Sequence, residues 1–451
     1  MRKKKVVILV DSKKRDLMGA ALIAHHLEQN GINAYLEPLQ SWQACLLDLK
    51  PDLILFNHLL HSHLCKYTEK LNKCGILVGC MLNEGAFLNE STLNLMSNKN
   101  YDYMHCDFFL TWNDDHKNKL VSHKFCTPSH NVFTVGVPRF DFYFQPWSNM
   151  YANEKSSSDL LINTTFQCAH YYNRSEQEKL LIYSALGADR NPLASNYLKL
   201  IEYHFNSREI LLKICYDLLN KSDLSITLRP HPREDAHFYH NWLAKLPLGF
   251  KNKIKISVDK DITSDIINSK VVLNCGTCTT ALESWIAGKP TISLVFPDDC
   301  FKEDGDKVIN LSPIFNCLDN ADDLIKKVNQ VINNPVQNEF LDARTDLLLS
   351  LFNRTDGDSS LRAAQVIINE LTKQKNQPFY PISFSDLRRS LKVRFLRLID
   401  QPGHATPKQI LFDILKISSH EKSSIRDRSY FKAIKQSDVK NASKLINSIK
   451  R

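Results

Sequence analysis

Five apolar residues, Val6 to Val10, follow Lys3-Lys4-Lys5 and stop at Asp11. A short unbroken apolar run predicts a strand covered on both faces. The series Gly19 to Leu27 predicts a helix that Gly31 ends, and Ala34-Tyr35-Leu36 predicts a second strand. A helix ending over Leu46 to Leu49, a Pro51-Asp52 turn and the run Leu53 to Phe56 repeat the unit, and Ile76 to Gly79, Phe108 to Thr111 and Val132 to Val135 continue it. Strands alternating with helices through short turns predict a parallel sheet with helices on both faces.

The polar stretch 144–158 interrupts this pattern, and Asp159-Leu160-Leu161-Ile162-Asn163 opens a second alternation. It predicts a long amphipathic helix near 196–220, strands over Leu224 to Leu228, Lys253 to Val258, Val271 to Asn274 and Thr291 to Val295, and helices at 279–287, 320–333 and 358–374. After Pro378 and Pro381 only helical patterns remain. The expected class is α/β, with two Rossmann-like doubly wound domains facing across a cleft. Their expected ranges are 1–150 and 151–376, with a helical basic tail over 377–451.

A chain of 451 residues suits two such cores plus an appendage. The basic start Met1-Arg2-Lys3-Lys4-Lys5 resembles the opening of a signal peptide, but Val6 to Val10 is too short an apolar stretch for one. A buried first strand is expected instead. The twelve cysteines show no framework, which points to reduced thiols in a cytoplasmic protein. The net charge of +9 is concentrated at one end: residues 381–451 hold 16 Lys/Arg and 6 Asp/Glu, a surplus of +10. The expectation is a peripheral inner-membrane contact through the tail and no nucleic acid, with a solvated helical face as the alternative.

Ligands of open parallel sheets bind beyond the carboxyl ends of the strands. Arg229-Pro230-His231-Pro232 follows one such strand, and its prolines stiffen a turn that holds His231. An imidazole there can donate a hydrogen bond to a phosphate or protonate it. In Gly276-Thr277-Cys278-Thr279-Thr280-Ala281-Leu282-Glu283, a glycine turn leads into a helix start with small hydroxyl residues, which suits an anion or an ordinary N-cap. Gly288-Lys289-Pro290 reads as that helix's end. In the first half, Glu84 beside Gly85 reads as a base, a nucleophile or an exposed turn residue. Arg139 and Asp141 in Gly136-Val137-Pro138-Arg139-Phe140-Asp141 read as a structural pair at a hinge or as cleft residues. His58, His61 and His63 have no evident carboxylate or thiolate partner, so no metal is expected. The absence of a Walker-type or G-x-G-x-x-G loop argues against a nucleoside triphosphatase or a dinucleotide enzyme.

In order, these stretches together with Leu161-Ile162-Asn163-Thr164-Thr165-Phe166 and Asp356-Gly357-Asp358-Ser359-Ser360 resemble bacterial surface carbohydrate biosynthesis proteins of the GT-B glycosyltransferase fold. An acidic-Gly, a His-Pro and a Ser/Thr motif are similar to those of bacterial sialyltransferases and capsular Kdo transferases. The resemblance covers residues 5 to about 370 and implies transfer of a sugar, such as Kdo or sialic acid, from a nucleotide donor to a surface polysaccharide. It implies Glu84, Asp141 and His231 as catalytic residues. It implies Asn163, Thr164, Arg229, His231, Gly276, Thr277, Thr279, Thr280 and Glu283 around a nucleotide sugar, CMP-linked rather than UDP-linked, without a further cofactor. Asn83 stands where the family has an acidic residue, and Cys278 interrupts the hydroxyl cluster. A UDP-sugar 2-epimerase, a polyol-phosphate transferase and a non-catalytic scaffold are the alternatives on the same fold.

Overall fold

The computed structural model describes residues 2–59, 62–82, 104–122, 131–152, 157–185, 197–258, 261–276, 279–297, 311, 314–316, 321–334, 340–374, 377–381, 383–402, 405 and 434–449. Contacts gather the chain into two units: Met1–Met150 with Leu348–Arg451, and Tyr151–Leu347.

The first unit is built on β1 (Lys5–Val10), β2 (Asn33–Pro38), β3 (Leu53–Phe56), β4 (Leu77–Met81), β5 (Phe108–Thr111) and β6 (Val132–Thr134). They form one parallel sheet in the order β2-β1-β3-β4-β5-β6. The second unit holds β7 (Ser158–Asn163), β8 (Ile226–Arg229), β9 (Ile254–Ile256), β10 (Ser269–Cys275), β11 (Thr291–Val295) and β12 (Ile314–Asn316). Its sheet is also parallel, in the order β12-β11-β10-β7-β8-β9. Both units are therefore doubly wound α/β domains, as the pattern predicts. The runs that predicted strands are the ones buried on both faces, such as Leu160 to Ile162 and Val271 to Leu273.

The sequence places residues 348–376 with the second half and sets the tail apart; the contacts join both to the first unit. The helix Ser359–Lys373 buries Ala363, Ala364, Ile367 and Leu371 and packs on the helix Leu17–Gln29. Small residues on both helices allow that approach. Of the tail, the helix Phe384–Leu398 packs on the helix Trp42–Leu49, and the helix Gln436–Asn447 packs on Leu17–Gln29. Arg394 pairs with Asp48 at 2.9 Å and Arg397 with Glu37 at 2.6 Å. Part of the tail's positive charge thus answers acids of the first sheet's surroundings. Among the described residues no helix is long and apolar enough to cross a membrane.

Two stretches that carry the family resemblance mate with each other inside this unit. Gly136 has φ of +88°, and a Cβ on it would lie 2.6 Å from Ser359 Oγ. The Val135 carbonyl accepts from Arg362 Nε at 2.9 Å. Asp141, in the 3-10 turn Pro138–Tyr143, accepts from Ser359 N at 3.0 Å, Ser360 N at 2.7 Å and Ser360 Oγ at 2.6 Å. It therefore caps the helix 359–373 from a distance of more than two hundred residues along the chain. This corrects the catalytic reading of Asp141: the residue is 1% exposed and both its carboxylate oxygens are taken. Burial outweighs the three hydrogen bonds and raises its pKa to about 6. The partner of Asp141 is the helix start; Arg139 instead lies over the Phe140 ring at 4.9 Å.

Candidate functional site

The second sheet has its topological switch point at β7. From β7 the chain runs outward through β8 and β9, then returns to lay β10 on the other side of β7. The loops leaving β7 and β10 diverge there, and such a crevice is where doubly wound sheets hold ligands. Asn163, the last residue of β7, and Asn274, next to last in β10, lie opposite each other in register. Both are buried, at 4% and 1% exposure, and Asn163 Nδ2 reaches Asn274 Oδ1 at 3.4 Å. Among the described residues, Asn163 Oδ1 and Asn274 Nδ2 have no hydrogen-bond partner. One unmet acceptor and one unmet donor at the crevice floor each cost about 1–3 kcal/mol until a polar group meets them.

The turn after β8 stands beside β7. Its anchor is Glu234, whose Oε1 accepts from Thr164 Oγ1 at 2.5 Å, Phe166 N at 2.9 Å and His231 N at 3.1 Å. Its Oε2 accepts from the Tyr239 hydroxyl. Burial pushes the Glu234 pKa up, while these donors pull it down. Thr164, expected to touch the ligand, spends its hydroxyl here and organises the turn. His231 Nδ1 accepts the Arg233 backbone N–H at 3.1 Å. In the neutral ring the proton must then sit on Nε2, which makes Nε2 a hydrogen-bond donor.

A second imidazole has the same tautomer. His204, in the helix Tyr197–Lys221, accepts the Cys168 N–H on Nδ1 at 3.2 Å and packs edge-on to Phe166, with ring centroids 6.5 Å apart. The loop 164–168 therefore has His231 tied to one side, through Glu234, and His204 to the other. Burial, with His231 as a second cause, lowers the His204 pKa to about 4; burial and then Arg233 lower that of His231 to about 4. Both rings are uncharged at neutral pH, so each offers an N–H without a proton to give up. Nuclear magnetic resonance titration of the two rings should give midpoints near 4, and midpoints near 6.5 would show solvated rings instead. The unfolded chain takes up these protons at about pH 6.5. The two rings therefore favour folding fully above that pH, and the advantage is lost as pH falls toward 4.

On the other side of the crevice, Gly276 follows β10 with φ of +88°, and Thr165 Oγ1 donates to the Cys275 carbonyl. The helix Thr279–Ile286 starts three residues later, with its N-terminal N–H groups and dipole directed at that end of the sheet. Thr279 is half-buried in its first turn, and Thr280 and Glu283 are buried. The sequence-predicted Asn163, His231, Gly276 and Thr279 are thus at one sheet edge, together with Thr280 and Glu283 on the helix.

Arg229 does not fit its expected role. Its Nη1 makes an ion pair with Asp265 at 2.5 Å, and Ser257 Oγ donates to the same carboxylate at 2.6 Å. The pair lies on the β9 side of the turn, with Asp265 buried, so the guanidinium braces the sheet. Lys289 likewise donates to the Ile267 carbonyl at 2.8 Å, which makes Gly288-Lys289-Pro290 a packing element. Glu84, Thr277 and Cys278 lie outside the described residues, as does His61. Among the described residues no group of three His, Cys, Asp or Glu side chains is placed to hold a metal ion. Sequence reasoning missed Glu234 and His204. The first carried one signal, an acidic residue three positions after a turn histidine; the second is hidden within the apolar periodicity of a long helix.

No protein family and no curated protein matches the chain by sequence. Its path is similar to that of several solved structures. One is a UDP-N-acetylglucosamine 2-epimerase, with a TM-score of 0.48 at 12% identity, covering 85% of this chain and 100% of the other. A second is S. aureus MnaA in a co-structure with UDP, with a TM-score of 0.49 at 13% identity, covering 83% and 100%. A third is a glycosyltransferase from Rickettsia africae ESF-5, with a TM-score of 0.43 at 12% identity, covering 84% and 100%.

Proposed function

We propose that the chain is a glycosyltransferase that takes a sugar from a nucleotide donor, with a 2-keto acid such as Kdo or sialic acid as the leading candidate, and adds it to a bacterial surface polysaccharide. The observation that supports this reading best is the pair of neutral imidazoles beside the switch point of the second sheet. His231 and His204 would donate through Nε2 to the non-bridging oxygens of the donor phosphate. The start of the helix 279–286 would add backbone N–H groups from the opposite side. The unmet amide atoms of Asn163 and Asn274 would meet polar groups of the nucleotide or the sugar. The leaving phosphate gains charge as the glycosidic bond breaks. Donors fixed in advance, with tautomers set by backbone N–H groups, stabilise that charge without rearranging. The half-buried, uncharged rings suit holding the phosphate rather than protonating it. The family resemblance implies Glu84 as the carboxylate that acts on the sugar, since Asp141 is occupied as a helix cap.

The test is calorimetric titration of CMP and UDP into the full chain, followed by incubation with CMP-Kdo, CMP-sialic acid and UDP-N-acetylglucosamine. Binding of CMP with release of CMP from a keto-acid sugar is the expected result. A free epimer formed from the UDP-sugar would move the assignment to a 2-epimerase. No binding of either nucleotide would sink both readings.

A further inference from the structure

We propose that the helix Phe384–Leu398 is the surface through which the protein lies on an anionic lipid bilayer. The helix has two apolar faces. One holds Val393 and Leu396, which are buried where the helix packs on Trp42–Leu49. The other holds Phe384, Leu387, Leu391, Phe395 and Leu398, between 41% and 85% exposed. At about 100° per residue these five fall within one stripe about 80° wide, on the side opposite Val393. Five large apolar side chains aligned on one exposed face are not the scattered apolar residues of an ordinary surface.

What borders the stripe chooses the occupant. Arg388 and Lys392 are exposed along one edge, and Arg394, paired with Asp48, lies along the other. The only carboxylate within the helix, Asp386, is on the buried side and bonded to Lys70 and Ser383. Apolar stripes rimmed by cations enter the interface of a bilayer, with the ring and leucine side chains among the acyl chains and the cations at anionic headgroups. The surplus of +10 over residues 381–451 adds attraction of the same sign. The contact with Trp42–Leu49 fixes the helix before it binds, so no ordering cost opposes attachment. This surface belongs to the first unit and does not rest on the nucleotide-sugar reading.

Removing the tail is a poor test, because it would uncover the residues packed against Val393 and Leu396. Exposed positions avoid that. The full chain should co-sediment with phosphatidylcholine vesicles containing about 30 mol % phosphatidylglycerol, and much less with phosphatidylcholine alone. Leu391→Gln/Phe395→Gln should bind about tenfold more weakly or worse, with an unchanged circular dichroism spectrum and melting temperature. What binding remains should vanish in about 0.5 M salt, where charge alone is screened. Arg388→Gln/Lys392→Gln should lose the preference for the anionic lipid. Vesicle binding by the Leu391→Gln/Phe395→Gln protein equal to that of the unaltered chain would overturn the proposal. So would a wild-type dimer that this substitution dissolves while vesicles are ignored, since the stripe would then belong to a second copy. Nucleotide binding should be the same in every variant, which separates this outcome from the fate of the functional reading.

Discussion

His231→Asn should leave the second unit folded and cost about 10- to 100-fold in nucleotide affinity, the loss of one hydrogen bond to a charged group. The choice of asparagine comes from the geometry of the ring. Its Nδ1 accepts the Arg233 N–H, and an asparagine carbonyl occupies nearly the same place. The turn keeps its internal bond, and the Glu234 bond to the His231 backbone is untouched because it involves no side-chain atom of the residue replaced. Only the Nε2 donor is gone. If that donor meets the phosphate, turnover should fall further than affinity, by about 100- to 1000-fold, because the charge it faces grows as the bond to the sugar breaks. His231→Gln offers the reverse arrangement, an N–H near the Nε2 position without the Nδ1 acceptor. It should recover part of the turnover at some cost in stability. Unchanged titration curves for CMP and UDP in His231→Asn would remove the turn from the site.

His204→Asn extends the argument, since its ring is held in the same tautomer by the Cys168 N–H. The two single variants and the double variant form a cycle. Two imidazoles gripping one phosphate should be coupled, so that the double variant loses less than the two single losses added together. Asp141→Ala is the contrasting case. It should lower the stability of the first unit through the lost helix cap and leave nucleotide binding as it was.

The sheets were legible because parallel strands are buried on both faces and so read as unbroken apolar runs. Val6 to Val10 and Val271 to Leu273 differ from everything around them. The order of strands was legible only as an alternation, and the switch point between β7 and β10 needed the structure, because hydropathy holds no record of which side of a sheet the chain returns to. The site was legible in part. Two prolines around a histidine mark a stiff turn whatever the turn is for, and a glycine before hydroxyl residues marks a helix start. The partners that decide each role are distant in sequence. Arg229 reads as a phosphate ligand until Asp265 is found against it, 36 positions on. Asp141 reads as a catalytic carboxylate until Ser359 and Ser360 arrive from the far end of the chain. His204 gives no sign at all, since a polar residue within an amphipathic helix is what such a helix requires. The tail was legible as a charge surplus but not as a surface, because the second apolar face of the helix 384–398 is surplus only once the first is seen to be packed.

Glu234→Ala should destabilise the second unit by about 3–4 kcal/mol, the largest loss expected from any single turn residue. The carboxylate joins three backbone segments. It receives Phe166 N and the Thr164 hydroxyl from the loop after β7, His231 N from the turn after β8, and the Tyr239 hydroxyl from the following helix. Alanine leaves all four donors without that acceptor, in a turn that is half-buried. Glu234→Gln keeps the shape and one carbonyl. Its oxygen can still take Phe166 N and His231 N, while its amide faces the Tyr239 oxygen, so about 1 kcal/mol is expected. Urea unfolding measures the difference directly: with a slope of about 2 kcal/mol per molar, alanine should lower the midpoint of the second unit by about 1.5–2 M. Amide exchange at Phe166 and His231 should quicken in the alanine protein and stay slow in the glutamine one. Ligand binding should follow the same order, because a slack turn no longer aims His231 Nε2. If Glu234→Ala were as stable as the unaltered chain, the turn would be held by its prolines alone, and the anchor drawn here for His231 would be wrong.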